Sequence, residues 1–184
     1  IVVDGSGFPV RGDLVPMGGV LPKLFGGLNN EFTFNNLITF SFLVDYNYGN
    51  NILSATSFYS LRRGLNQQTL EGREGGIKTG VDASGAANTV TATAEGYYRA
   101  LAQNVTKVHV LDGDFIKLRQ VVLGISIPKN IVQKLKIFES MQLSFVGRNL
   151  LILMKKSDNI DPEATFGSTI RYTGIEGKSL PNTR

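Results

Sequence analysis

His109 is the only histidine in the chain, so a serine, histidine and carboxylate relay could be assembled around it alone. It stands between Val108 and Val110, neighbours that suit an extended strand end, and that context predicts a packing role. Carboxylates gather twice, in Asp112-Gly113-Asp114 and in Asp158, Asp161 and Glu163. Either group could offer oxygens to calcium, which takes about 6 to 8 of them, yet neither follows an EF-hand spacing. The first reads as a turn and the second as a loop start set by Asp161-Pro162. Glycoside hydrolysis needs two carboxylates about 5 to 9.5 Å apart across a cleft. Asp158 and Asp161 share one loop and are poor candidates for opposing positions. The run from Gly72 to Thr79 approaches a phosphate-binding loop, but Ile77 stands where that motif needs glycine and no strand leads directly into it. Arg11-Gly12-Asp13 and Asn104-Val105-Thr106 spell an adhesion tripeptide and a glycosylation sequon by accident of composition. No enzyme activity and no cofactor are expected.

Composition narrows the classes further. Without cysteine, disulfide frameworks and thiolate metal sites are excluded. The 19 Lys plus Arg exceed the 15 Asp plus Glu for a formal charge of +4, but the basic residues are scattered. Clusters such as Lys129, Lys134 and Lys136 read as a solvated face, and nucleic acid is not an expected partner. No apolar run approaches the roughly 18 residues of a membrane helix; the longest are of the kind Leu37 to Val44 and Leu150 to Met154. Strands of about 9 to 11 residues are enough for a barrel wall, and hydropathy detects them poorly. No charged-then-apolar leader follows Ile1, so an export signal, if there is one, is expected elsewhere.

The elements that would hold these residues begin after a turn-rich stretch, residues 1 to 24, where Gly, Pro and Asp recur closely. From Glu31 the pattern turns to a period of two, with Phe32, Phe34, Ile38, Phe40, Phe42, Val44 and Tyr46 in one phase and Thr33, Asn35, Thr39, Ser41 and Asp45 in the other. A two-residue turn at Asn35-Asn36 would put Thr39 and Ser41 on the phenylalanine face. A three-residue turn pairs Phe34 with Ile38 and keeps that face continuous, so it is the predicted one. Val121, Leu123, Ile125 and Ile127 repeat the alternation, as do Met141, Leu143 and Phe145, with Arg148 in the opposite phase. Between them, Pro128 to Phe138 reads as a short amphipathic helix with Ile131, Val132 and Leu135 on one side. Strands are thus expected near 25–34, 37–48, 114–127 and 140–154. Residues 49–112 form a connection of more than about 60 residues, where about 2 to 6 is usual. It holds two candidate helices, Ser54 to Arg63 and Ala94 to Gln103, the second capped by Thr93.

Short turns on one side and long loops on the other are the shape of an outer-membrane barrel. Three stretches carry a closer likeness: Phe115-Ile116-Lys117-Leu118-Arg119-Gln120-Val121, Leu143-Ser144-Phe145-Val146-Gly147-Arg148-Asn149-Leu150 and Asn159-Ile160-Asp161-Pro162-Glu163. With Gly26-Gly27-Leu28-Asn29-Asn30 and Thr69-Leu70-Glu71-Gly72-Arg73-Glu74-Gly75-Gly76 upstream, the chain resembles the C-terminal barrel region of the SusC/RagA family of TonB-dependent outer-membrane transporters. Leu180-Pro181-Asn182-Thr183-Arg184 resembles the lead-in to that family's closing strand, which the sequence lacks.

The resemblance implies an all-β fold. Antiparallel strands would form part of a barrel of about 22 strands, with long extracellular loops (49–112 and 155–180) containing short helices. The plug domain is absent from this stretch. The implied partners are the rest of the same barrel and its plug, a SusD-like surface lipoprotein serving as lid, the TonB complex acting through the missing N-terminal part, and the lipid bilayer of a Gram-negative outer membrane. The implied activity is import of glycans or peptides. Cargo or lid would meet Tyr59, Arg62, Arg63, Arg73, Tyr97 and Tyr98 in the long loop. Lipid would meet Phe40, Phe42, Val44, Val121, Leu123, Ile125, Leu143 and Phe145. Four strands cannot close a barrel, and an open edge in lipid costs several kcal/mol per unpaired group, so further strands must come from other polypeptide. The alternative is a soluble antiparallel β domain that binds carbohydrate or protein, because the same alternation serves a face that meets a second sheet.

Overall fold

The computed structural model describes residues 1–164 and 173–177. Its elements follow as β1 (Leu24–Phe34), β2 (Ile38–Tyr48), β3 (Asn51–Ser54), α1 (Ala55–Arg62), α2 (Ala94–Asn104), β4 (Val110–Asp112), β5 (Phe115–Ser126), α3 (Lys129–Val132), β6 (Gln142–Lys155) and β7 (Ile175–Glu176). The chain divides into two compact units. Residues 22–49 and 113–156 carry an antiparallel sheet ordered β1-β2-β5-β6.

The hairpin between β1 and β2 pairs Phe34 with Ile38, so its loop is the three residues 35–37. Asn35 and Asn36 take φ of 49° and 53°, a left-handed conformation that asparagine tolerates better than most side chains. Phe32 then lies opposite Phe40, and the rings of Phe32, Phe40 and Phe42 sit 6.1 to 6.5 Å apart.

Register carries this face across the sheet. Phe40 pairs with Leu123 and Phe42 with Val121; Leu123 pairs with Phe145 and Ile125 with Leu143. Thr39, Ser41, Asp45, Lys117, Gln120 and Arg148 share the other face. One irregularity makes this work. Leu118 and Val121 are three residues apart, and plain alternation would turn them to opposite faces. Arg119 is skipped in the register with β2, where Leu43 pairs with Gln120 and Val44 with Leu118, and again in the register with β6. This bulge returns Leu118 and Ile116 to the apolar face. That face is open: Leu28, Phe34 and Phe145 are 58%, 59% and 60% exposed, and Phe32, Phe40, Leu123, Ile125 and Leu143 are also exposed.

The segment after β5 departs from expectation. An amphipathic helix was predicted from Pro128 to Phe138, but α3 is a single turn followed by a 3-10 turn at Gln133–Leu135. Lys136 then takes φ of 57°, which ends the helix and leaves Ile137 exposed.

The other unit gathers residues 1–21, 50–112 and the described part of 157–181. Here the all-β expectation is corrected: its core is built largely by helices. Leu61 of α1 and Tyr97, Tyr98, Leu101 and Ala102 of α2 pack with Val3, Ile77 and Ala92. Thr93 caps α2, its hydroxyl accepting from Gly96 N at 3.3 Å. Gly96 has no side chain because a Cβ there would lie 2.5 Å from the ring of Phe8. A second sheet, ordered β4-β3-β7, completes the unit, and its β3–β7 pairing is parallel. The whole is therefore a mixed architecture of mostly antiparallel strands in two open sheets. Among the described residues no helix is long and apolar enough to cross a membrane.

Candidate functional site

Two cavities open in the loop unit, on either side of the run Gly64–Thr69. The first has a volume of about 580 Å³ and lies between the end of α1 and the start of α2. α1 places Arg62 in its last turn and Arg63 at its C-cap, where cations offset the negative end of the helix dipole. Gly64 follows at φ 71°, reversing the chain as glycine commonly does after a helix. α2 contributes Glu95, Tyr98 and Arg99 from its first turns, with Glu95 and Arg99 paired at 3.0 Å as i and i+4 neighbours.

Arg73 arrives from the glycine-rich loop and is held in place from one side. Its Nε donates to Thr69 O at 2.9 Å, and its Nη2 donates to Gly64 O at 2.8 Å and to Thr69 Oγ1 at 3.2 Å. No described residue accepts from its Nη1. Tyr98 lines the wall while its hydroxyl donates to Gln68 O at 2.5 Å. Burial, and secondarily the charge of Glu71, pushes the Tyr98 phenol above its ordinary pKa, so it remains a donor. Among the described residues, four arginines, Arg62, Arg63, Arg73 and Arg99, thus line a space whose one lining carboxylate is Glu95.

Of the six loop residues singled out from the sequence, the structure brings Arg62, Arg63, Arg73 and Tyr98 to this cavity. Tyr59 stands behind it, its ring 5.9 Å from the Arg63 guanidinium carbon. Tyr97 is buried in the core at 5% exposure and does not line it. Arg99 and Glu95 were missed. Their i, i+4 spacing at the start of a capped helix was the available signal. The eight apolar residues singled out in the strands all fall on the open face of the four-stranded sheet.

The second cavity, about 990 Å³, is lined by Ser57, Ser60, Asn66, Gln67, Gln68 and Asn159 among others, with Asp158 the one charged side chain among the described residues that line it. His109 lies behind Ser57. Its Nε2 is 3.1 Å from the Ala102 carbonyl, which can only accept, and its Nδ1 is 3.1 Å from Ser57 Oγ. A neutral ring with its proton on Nε2 satisfies both. Burial pushes its pKa below the ordinary value, with the Ala102 carbonyl opposing.

Of the carboxylates considered for calcium, Asp114 and Asp161 are engaged within the protein, while Asp158 lines the second cavity. Asp114 accepts from Gly49 N and Lys156 Nζ, each at 2.6 Å, and Asp161 Oδ1 accepts from Glu163 N at 3.0 Å. Among the described residues no three metal-ligating side chains gather. The stretch Leu180 to Arg184, which resembles a lead-in to a closing strand, and most of the loop after Ala164 lie outside the described residues.

No family model matches the chain, and no curated protein matches it. Solved structures do. A chain of the RagAB peptide importer in its closed-closed state aligns with a TM-score of 0.57 at 14% identity, over 98% of this chain and 19% of that one. A chain of the RagAB peptide transporter aligns with a TM-score of 0.58 at 14% identity, over 89% and 16%. The open-open state of the importer gives 0.52 at 13% identity, over 85% and 15%. This chain therefore has the fold of part of such a protein and spans less than a fifth of its length.

Proposed function

We propose that this chain is a barrel-wall and extracellular-loop segment of an active transporter in the outer membrane of a Gram-negative bacterium. It imports peptides or glycans and has no enzymatic role. The remaining barrel strands and the plug come from the rest of the same polypeptide. A SusD-like surface lipoprotein closes over the loops, and the TonB complex supplies energy through the plug side.

The observation that carries this reading is the open apolar face of the four-stranded sheet. Its strands are 11, 11, 12 and 14 residues long, enough to span a bilayer at the usual tilt. Exposed large side chains run across all four strands, while the reverse face carries Asp45, Lys117, Gln120 and Arg148, as a lumen side should. Tyr46 and Tyr48, with rings 6.0 Å apart at the C-terminal end of β2, suit the border of the apolar band. The likeness to RagAB chains agrees, and the helical loop unit suits a surface that meets cargo or lid.

The test is a pair of substitutions in the full-length polypeptide folded into lipid vesicles. Phe42 lies mid-strand on the apolar face, and Ser41 is its neighbour on the other. Phe42→Arg is expected to cost about 2 to 4 kcal/mol and Ser41→Arg close to nothing. Equal effects would sink the lipid-facing assignment and favour a sheet that buries this face against other protein.

A further inference from the structure

We infer that the arginine-lined cavity is an anion site that takes the side-chain carboxylates of an acidic peptide; this deepens the transport reading above and rests on it. The cavity, at about 580 Å³, falls within the roughly 300 to 1,000 Å³ of ordinary ligand sites. Among the described residues its charge is unbalanced, since four guanidinium groups share the lining with one carboxylate, Glu95. Glu95 is engaged with Arg99. Arg62 and Arg63 have no carboxylate partner among the described residues, and Arg63 rests against Tyr59 instead.

Preorganisation points the same way. Three hydrogen bonds to Gly64 and Thr69 fix Arg73 along one edge, leaving the Nη1 hydrogens for a ligand. A guanidinium held in this manner presents its free Nη1 end to a carboxylate oxygen, for a charge-assisted N–H···O bond. Its ordering entropy has already been spent in folding.

A peptide is favoured over a free small anion by what stands beside the cavity. Gly64 and Thr69 line it, while the intervening Leu65–Gln68 line the larger cavity, whose described lining is mostly uncharged and polar with Asp158 at one side. Asn66, Gln67, Gln68, Ser57 and Ser60 there offer donors and acceptors of the kind that peptide amides require. An extended acidic peptide crossing the Gly64–Thr69 run would set carboxylates among the arginines and its backbone along the amides.

The experiment measures binding of two synthetic probes to the full-length transporter in detergent, an acetylated tetra-aspartate amide and its tetra-asparagine counterpart. The test variant is Arg62→Gln with Arg63→Gln, chosen because neither side chain makes a structural hydrogen bond among the described residues; Arg73, which does, is left intact. Two or more partly exposed guanidinium–carboxylate pairs correspond to about a tenfold preference for the aspartate peptide. That preference should shrink toward parity in the variant and with rising salt. Equal binding of both peptides by the unmodified protein would overturn the anion site while leaving the transport reading intact. Inorganic phosphate binding without discrimination between the peptides would overturn it in favour of a phosphate site. An undiminished preference in a folded variant would also overturn it. Failure of the transport reading is separate and would appear in the Phe42 and Ser41 substitutions.

Discussion

Arg119 Nε donates to Asp45 Oδ2 at 2.6 Å, joining β5 to β2 at the place where β5 carries its extra residue. Arg119 Nη1 also reaches Asn149 Oδ1 of β6 at 3.3 Å. The bulged residue thus ties three strands together on the polar face. Arg119→Gln is expected to cost about 1 kcal/mol, because the Arg119 and Asp45 side chains keep 25% and 30% of their exposure and water screens them. Deleting Arg119 should cost several times more. The deletion would turn Ile116 and Leu118 to the polar face and Lys117 to the apolar one. Urea titration of the full-length protein in vesicles separates the two, and a deletion no worse than the substitution would show that the bulge does not set the phase.

That bulge marks where the strands stopped being readable. The end of β1 from Glu31, β2 and the far ends of β5 and β6 follow from alternation, the start of β1 was suggested only by the resemblance of Gly26 to Asn30, and the Asn35–Leu37 turn follows from keeping Phe34 opposite Ile38. The three-residue step from Leu118 to Val121 was a visible break in period, but alternation has no term for it. The loop unit was legible only in pieces. Thr93 announces α2 as a helix cap, and Ser54, read as the first residue of α1, proves to be its cap; yet nothing local says that Val3, Ile77 and Ala92, far apart in glycine-rich stretches, close over those helices. Lys136 ended a predicted helix because its left-handed backbone is a tertiary outcome rather than a propensity. The arginines were legible as residues, but their convergence depends on Gly64 and on the packing of α1 against α2.

Glu176 offers a test of how the loop unit is held. It is 1% exposed, and its Oε2 accepts from Ser54 Oγ at 2.7 Å and Thr56 N at 2.9 Å, while its Oε1 accepts from Thr56 Oγ1 at 2.8 Å. The carboxylate sits at the positive end of α1 and answers donors that the helix cannot satisfy itself. Glu176→Ala should cost the unit about 2 to 4 kcal/mol by leaving these donors buried and unmet, and Glu176→Gln less, since an amide oxygen can still accept. Hydrogen exchange at the Thr56 and Ser57 amides should accelerate by about 30-fold or more in the alanine variant. Unchanged exchange would mean that Ser54 alone holds the start of α1.

His109 should make the same unit sensitive to acid. Its folded pKa lies below the ordinary value of 6.5 because burial disfavours the charged ring. The unfolded chain therefore takes up a proton first as pH falls. The contribution to stability is fully present above about 6.5 and declines below it, at up to about 1.4 kcal/mol per pH unit, until the lowered folded pKa is reached. Protonation would also force a second donor onto Nδ1, where Ser57 Oγ stands at 3.1 Å; the hydroxyl would then have to turn and accept. Thermal unfolding of the full-length protein followed from pH 7.5 to 5.5 should show a steeper loss for the unmodified protein than for His109→Gln, which cannot titrate. Parallel curves would assign the acid sensitivity to other groups.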